Sequence, residues 1–342
     1  MFKPKHILII RLSAMGDVAM LVPVLSALRL RYPDLKISVL TKGFFAPFFR
    51  NIENINIINA DLKGRHKGVL GLLKLSKELK KLNIDAVADC HNVLRSKILK
   101  VFLSGYPCVQ INKGRAEKKA LTSGEKFQQL KTTHQRYADV FGQLDFPVDL
   151  TNPVFPKAAD LNPSTKSLIN SEKKDWIAIA PFAAFESKSY PLDQMKEVIS
   201  KLSKEYAVLL FGGGEIEIAL LNSIEQKTEN VTNLAGKLSL SQEMDVISNC
   251  KLMISMDSGN AHIAAMLGVK VLTLWGVTHP FAGFFPFNQD IGNALLADRT
   301  LYPKIPTSVY GNKFPKGYEH AIASISTSTI IEKVNSLLTK NY

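Results

Sequence analysis

Cysteine is scarce in this chain of 342 residues. Cys90, Cys108 and Cys250 stand far apart, are odd in number and form no Cys-x-x-Cys pair. That spacing supports neither a disulfide framework nor a zinc site, and reads as reduced, mostly buried thiols in a cytoplasmic protein. No segment approaches the roughly 20 uninterrupted apolar residues of a membrane span. The opening MFKPKHILIIRLSAMGD has a lysine pair and a short apolar run, but Arg11 interrupts it and a glycine turn follows. It reads as fold rather than as a cleavable leader, and the protein as unsecreted. Internal repeats, low-complexity tracts and Asp-x-Asp pairs are all absent. The glycine turn LFGGGE at 210–215 lacks the G-x-G-x-x-G spacing, so no nicotinamide cofactor is implied.

What the chain does hold is charge of one sign in one half. Residues 1–150 carry 25 Lys+Arg against 12 Asp+Glu, and residues 151–342 carry 18 against 18, so the whole excess of +13 lies in the first half. The asymmetry points to an anionic partner for that half: nucleic acid, a membrane surface, or a phosphorylated or carboxylated substrate. Apolar residues make up 46%, and the length suits two domains of about 150–170 residues.

Strand-like and helix-like patterns alternate along the chain. HILIIRL (6–12), KISVLTK (36–42), INIINA (55–60) and IDAVADC (84–90) read as strands. Residues 17–33, 68–83 and 96–105 read as helices between and after them, with Pro23 a point where the first can bend. Around 146–175 the pattern lapses into a proline-rich stretch with Pro147, Pro153, Pro156 and Pro163, read as the interdomain linker. Alternation then resumes, with strands at 176–181, 206–213, 251–257 and 270–276, and a closing helix over 326–340. The expectation is an α/β protein of two Rossmann-like, doubly wound parallel-sheet domains facing a cleft. The domains span 1–150 and 151–325, followed by the closing C-terminal segment 326–342. Ligands of such folds bind at the C-terminal ends of the strands.

Those strand ends carry the chemistry. SMDSGNAH (255–262) runs from a strand through Asp257, Ser258 and Gly259 into a helix with His262 one turn in, a place where backbone N–H groups can hold a phosphate or pyrophosphate. Taken alone, the element is more readily structural, with Ser258 an N-cap and His262 a buried helix residue. LWGVTHPF (274–281) adds Gly276 and Thr278, and the 210–215 turn adds Gly212. Three small-residue turns at consecutive strand ends suggest one nucleotide cleft. In the first half, RLSAMGDVAML (11–21) places Ser13, Gly16 and Asp17 where a strand hands over to a helix. From spacing alone, Asp17 is as readily a helix-start carboxylate favoured by the dipole as a base over a cleft.

Four motifs occur in order: MGDVAMLVP, KSYP at 188–191, SMDSGNAH, and GVTHP at 276–280. In these the chain resembles glycosyltransferase family 9, the heptosyltransferases of lipopolysaccharide core assembly, from about residue 5 to 340. The resemblance implies the GT-B fold, with an acceptor-binding first domain and a second domain for the nucleotide-sugar donor. It implies an inverting, metal-independent transfer of heptose, or a related sugar, from an ADP-sugar to a lipopolysaccharide core acceptor, with no cofactor beyond that co-substrate. Asp17 matches the family's proposed base, and Lys188 is the cation suited to neutralise the departing diphosphate. The donor set would be Ser13, Gly16, Lys188, Gly212, Asp257, Ser258, Gly259, His262, Gly276 and Thr278, with Glu215 or Glu217 holding the ribose.

For the anionic acceptor the resemblance points to three basic stretches, with Arg65, Lys67, Arg115, Lys118, His134 and Arg136, and to the strand end DCHNVLRS with His91, Asn92 and Arg95. The family more often has glutamine at the position of His91. For each basic residue taken singly, a solvated surface charge is the plainer reading. The same resemblance implies an enzyme peripheral to the inner face of the cytoplasmic membrane, in contact with anionic lipid, with no nucleic-acid partner. Domain closure across the 146–175 linker is the accompanying expectation. The alternatives are a nucleotide-sugar epimerase of the same architecture, a nucleic-acid-binding protein driven by the basic half, and an inactive sugar-nucleotide binder.

Overall fold

The computed structural model describes residues 4–169, 171, 173 and 175–339. The first three residues of the opening stretch and the last three of the expected closing segment lie outside the described residues. The chain divides into two compact units, and each has its own parallel sheet.

In the first unit, β1 (His6–Ile10), β2 (Lys36–Thr41), β3 (Ile55–Asn59), β4 (Ala86–Asp89) and β5 (Cys108–Gln110) form a sheet in the order β3-β2-β1-β4-β5. Every pairing is parallel, with Ile7 opposite both Ile37 and Ala86. β1 is an unbroken apolar run because both its faces are covered. Helices α1 (Met15–Arg31), α2 (Gly68–Lys80) and α3 (Leu94–Phe102) link the strands, and Pro23 lies inside α1. Leu72, Leu75 and Leu79 of α2 and Leu99 of α3 share one core with Leu8, Ile10 and Val87.

The chain then departs from the expected boundary. The first unit comprises residues up to Lys113 together with Thr132–Val154, whereas Gly114–Lys131 packs within the second unit. This excursion holds α4 (Arg115–Thr122). Leu121 and Leu130 bury against Ala282, the Leu130 N–H donates to the Phe281 carbonyl (3.0 Å), and the Lys118 ammonium lies 4.0 Å from the centre of the Phe284 ring. On its return the chain forms α5 (Thr133–Gly142), started by a capping box between Thr132 and Gln135, which packs on α1. The excursion carries five Lys/Arg and two Asp/Glu, so the first unit holds 20 cations against 10 acids and the second 23 against 20. The positive excess therefore remains concentrated in the first unit.

The second unit contains α6 (Pro163–Ser167), β6 (Trp176–Ala180), α7 (Leu192–Leu202), β7 (Ala207–Leu210), α8 (Glu215–Glu225) and β8 (Val231–Asn233). These are followed by α9 (Leu240–Ser248), β9 (Leu252–Met256), α10 (Gly259–Met266), β10 (Lys270–Trp275) and β11 (Ala294–Leu296). Its parallel sheet runs β11-β10-β9-β6-β7-β8. The closing helix α11 (Thr327–Thr339) packs on α7, and its Ile330 and Val334 belong to the second unit's core rather than to a separate element. Part of the linker stretch is likewise tied to this unit, since the Ala159 N–H donates to Ser248 Oγ (3.0 Å) and Asn249 donates to the Ala159 carbonyl (2.8 Å).

Candidate active site

The first unit gathers one group of polar side chains at the C-terminal end of β1. Arg11 directly follows that strand and is only 4% exposed. Its Nη1 donates to the Cys90 carbonyl (2.8 Å) and its Nη2 to Asp17 Oδ2 (2.5 Å), while its guanidinium lies 5.8 Å from the Tyr137 ring centre. The Ala14 N–H donates to the same Oδ2 (3.3 Å). Oδ1 has no partner among the described residues, and the side chain is 29% exposed. Asp17 is thus pinned by one oxygen and open at the other. A carboxylate doing nothing but capping a helix would not need a buried arginine beneath it. Ser13 and Gly16 flank it, half-buried, and the Tyr137 hydroxyl donates to the Asp17 carbonyl (3.2 Å).

His91 completes this group. It is buried, and its Nδ1 accepts the Leu12 N–H (3.4 Å). Burial, then the Arg11 guanidinium, pushes its imidazole down to about 3, so the ring is neutral near pH 7. The turn that carries it is fixed by Asp89, whose Oδ1 accepts the His91 and Asn92 N–H groups while Oδ2 accepts the Ser96 hydroxyl. Arg95 is exposed in the first turn of α3.

The other basic residues scatter. Lys67 is exposed at the start of α2, and Arg65 pairs with Glu78 (3.0 Å) at 56% exposure. His134 and Arg136 are buried on α5, and Arg136 Nη1 donates to the Asn112 carbonyl (3.3 Å), where the chain leaves for the excursion. Arg115 is exposed on α4, and Lys118 is buried against Phe284; both belong to the second unit. The basic stretches are therefore divided between the two units.

The second unit gathers a tighter group. At the end of β9, Asp257 Oδ2 accepts the Thr278 hydroxyl (2.9 Å) and pairs with Lys188 Nζ (3.0 Å). The side chains of Lys188 and Asp257 are only 12% and 11% exposed, and Thr278 is buried. Lys188 rides on the loop after β6, and that loop is seated by two glycines. A Cβ on Gly276 would stand 2.3 Å from the Ser187 carbonyl oxygen, and one on Gly311, at φ +85°, 2.6 Å from Lys188 Cδ. Ser187 Oγ also donates to the Gly311 carbonyl (2.6 Å).

Beside them α10 begins at Gly259. Ser258 does not cap it: its hydroxyl meets Ser255 Oγ at 2.9 Å, so the first-turn N–H groups take no side-chain cap from it. His262 is buried one turn in. A lysine ammonium next to an uncapped helix start is suited to a diphosphate.

The third glycine turn differs from expectation in place. β7, which feeds Gly212, is separated from β9 by β6, so the three turns are not on consecutive strands. The strand that intervenes supplies Lys188, so four adjacent strand ends carry the group. In the β7 turn, Glu217 Oε2 accepts the Gly213 N–H (2.8 Å) and would meet a Cβ on Gly212 at 3.1 Å. Glu215 is exposed, and Gly214 takes φ +84°.

Sequence reading passed over Arg11, Ser187 and Gly311. Arg11 had a signal, a cation inside an apolar run six residues before an acid. Gly311 had none, since its role depends on a chain approach 123 residues away from Lys188.

Residues 72–306 match the family model for glycosyltransferase family 9 (heptosyltransferase). The chain belongs to glycosyltransferase family 9. This family 9 transferase is 25% identical to lipooligosaccharide heptosyltransferase 2 of Haemophilus influenzae, across 98% of this chain and 100% of that relative. Among solved structures it resembles the family 9 glycosyl transferase of Veillonella parvula, with TM-score 0.77, 19% identity and 98% of each chain covered. It also resembles the ADP-heptose lipopolysaccharide heptosyltransferase II of Escherichia coli, with TM-score 0.68, 20% identity and 98% and 99% covered. At these identities the structural likeness carries the fold, which is of the GT-B type with two Rossmann-like parallel-sheet units. The transferase is an enzyme of glycosyl transfer, and neither the epimerase nor the nucleic-acid reading is favoured by these relatives. Among its described residues no helix is long and apolar enough to cross a membrane.

Proposed function

We propose that this glycosyltransferase moves heptose, or a closely related sugar, from an ADP-sugar to a lipopolysaccharide core acceptor, with inversion and without a metal ion. The first unit would take the acceptor and the second the donor. Asp17 Oδ1 accepts the proton of the acceptor hydroxyl as that oxygen bonds to the anomeric carbon. The bond from that carbon to the diphosphate breaks in the same step, and ADP leaves with the electron pair. Arg11 holds Asp17 in place through Oδ2 and touches no reacting atom, which makes it a positioning residue.

The observation that carries the donor half is the Lys188–Asp257–Thr278 group beside the start of α10. Lys188 and the first-turn N–H groups of α10 would neutralise the departing diphosphate, the part a divalent cation plays elsewhere. Glu217 is the better ribose ligand than Glu215: it is held beside Gly212 by one oxygen, with the other open among the described residues. The basic first unit would lie against an anionic membrane on the cytoplasmic side.

Calorimetric titration with ADP, UDP and GDP, with and without EDTA, tests the donor half. Selective ADP binding, unchanged by EDTA and weakened at least tenfold by Lys188→Met, is the expected result. Selective UDP binding, or loss of ADP binding in EDTA, would overturn it. Turnover of ADP-heptose on lipopolysaccharide core then tests the acceptor.

A further inference from the structure

The connection of α2 and α3 leaves an unexplained surface on the first unit. Both helices follow parallel strands, β3 and β4, so both begin at the C-terminal edge of the sheet. Both pack in one core, through Leu72, Leu75 and Leu99, and so lie on one face. Their first turns nevertheless expose large apolar side chains: Leu70 is 82% exposed, Leu94 74% and Val69 57%. One and a half to two turns on, Val101 of α3 is 67% exposed. Isolated exposed apolar residues are ordinary, but four on two adjoining helices are not.

The charge around them is mostly of one sign, with Glu78 of α2 paired to Arg65. From Leu62 to Lys77 the chain has five Lys/Arg and no acid, and from Cys90 to Ala116 it has no Asp or Glu at all. Lys63, Lys74, Lys77 and Lys97 are exposed. At helical spacing, Lys74 and Lys77 continue the row from Leu70, and Lys97 stands between Leu94 and Val101. Apolar tips followed by lysines match a bilayer surface, where the tips enter the headgroup layer and the lysines meet anionic lipid.

We propose that the first turns of α2 and α3 form a membrane-docking face for an anionic phospholipid bilayer, with Val69, Leu70 and Leu94 as the inserted anchors. A folded protein partner would want a continuous apolar patch with a polar rim, whereas this face is apolar only at separate side chains set among lysines. The inference deepens the reading above, because a lipid-linked acceptor would be met at that surface. It is tested without donor, acceptor or turnover, so its failure and the failure of that reading are separable.

The full chain is sedimented with vesicles of phosphatidylcholine alone and of phosphatidylcholine with phosphatidylglycerol, in wild type and in Val69→Ser/Leu70→Ser. Both side chains are exposed, so the double variant should melt as wild type does. The expected result is preferential binding to the anionic vesicles, reduced at least tenfold by the double variant and reduced again by 0.5 M salt. Equal binding to neutral and anionic vesicles, or undiminished binding by the double variant, would overturn the proposal. So would absence of binding to either vesicle.

Discussion

Replacing Asp17 with asparagine separates the base from the helix-start carboxylate. The amide keeps the side-chain size and an oxygen facing Arg11, but it cannot take a proton. A positioned general base contributes about 10²–10⁴-fold, or about 3–5 kcal/mol of barrier. The cost to the fold is smaller. Hydrogen bonds to charged groups contribute about 1.5–3 kcal/mol and neutral ones about 0.5–1.5, so the loss of charge should cost about 1 kcal/mol. The 29% exposure of Asp17 lowers it further. In a unit of this size that is a fall of roughly 2–4 °C in Tm. The assay is ADP release at saturating donor and acceptor, beside thermal melts followed by circular dichroism. We expect kcat to fall at least a hundredfold, both KM values to hold, and Tm to drop by no more than about 5 °C. Asp17→Ala should lose the same kcat but melt lower, because the buried guanidinium of Arg11 then loses its carboxylate and keeps the Cys90 carbonyl and the Tyr137 ring. A kcat within tenfold of wild type in Asp17→Asn, or an activity loss that merely follows the Tm, would refute the assignment.

Gly311→Ala should act on the donor half alone: its Cβ would meet the Lys188 stem at 2.6 Å from a left-handed backbone position, so ADP affinity measured by calorimetry falls about tenfold or more while the unit stays folded. ADP affinity equal to wild type would show that Lys188 moves aside freely. The buried histidines make an acid-sensitive fold. His91 is held down to about 3 and His279 to about 4, in each case by burial first, so the unfolded chain takes up protons near 6.5 that the folded chain refuses. Stability from this source is complete above about pH 6.5 and lost as pH falls from there toward those values, by about 2 kcal/mol per histidine at pH 5. His91→Gln should therefore lose less urea resistance than wild type between pH 7 and 5; identical losses would refute the cause.

The alternating sheets were legible because parallel strands buried on both faces are continuous apolar runs, and the strand ends follow from them. HILII, KISVL and LMISM announce themselves in this way. Short edge strands do not: Cys108–Gln110 and Ala294–Leu296 are three residues each, too short for a period. The excursion of 114–131 was invisible for a different reason. Its helix reads as charged surface, and nothing local in NKGRAEKKA says that Lys118 will lie against Phe284, 166 residues on. That placement changes what the basic residues mean. A charge in the first half of the chain is not a charge on the first unit, and Arg136 and Lys118 are buried where composition would have them solvated. The candidate site residues found by motif were those that a strand end presents directly, such as Asp17, Asp257 and Thr278. Those missed act at one remove, Arg11 beneath Asp17 and Gly311 against Lys188. Arg11 occupies one oxygen of Asp17 and Gly311 leaves room for the Lys188 stem, and a linear pattern of residue types encodes neither contact.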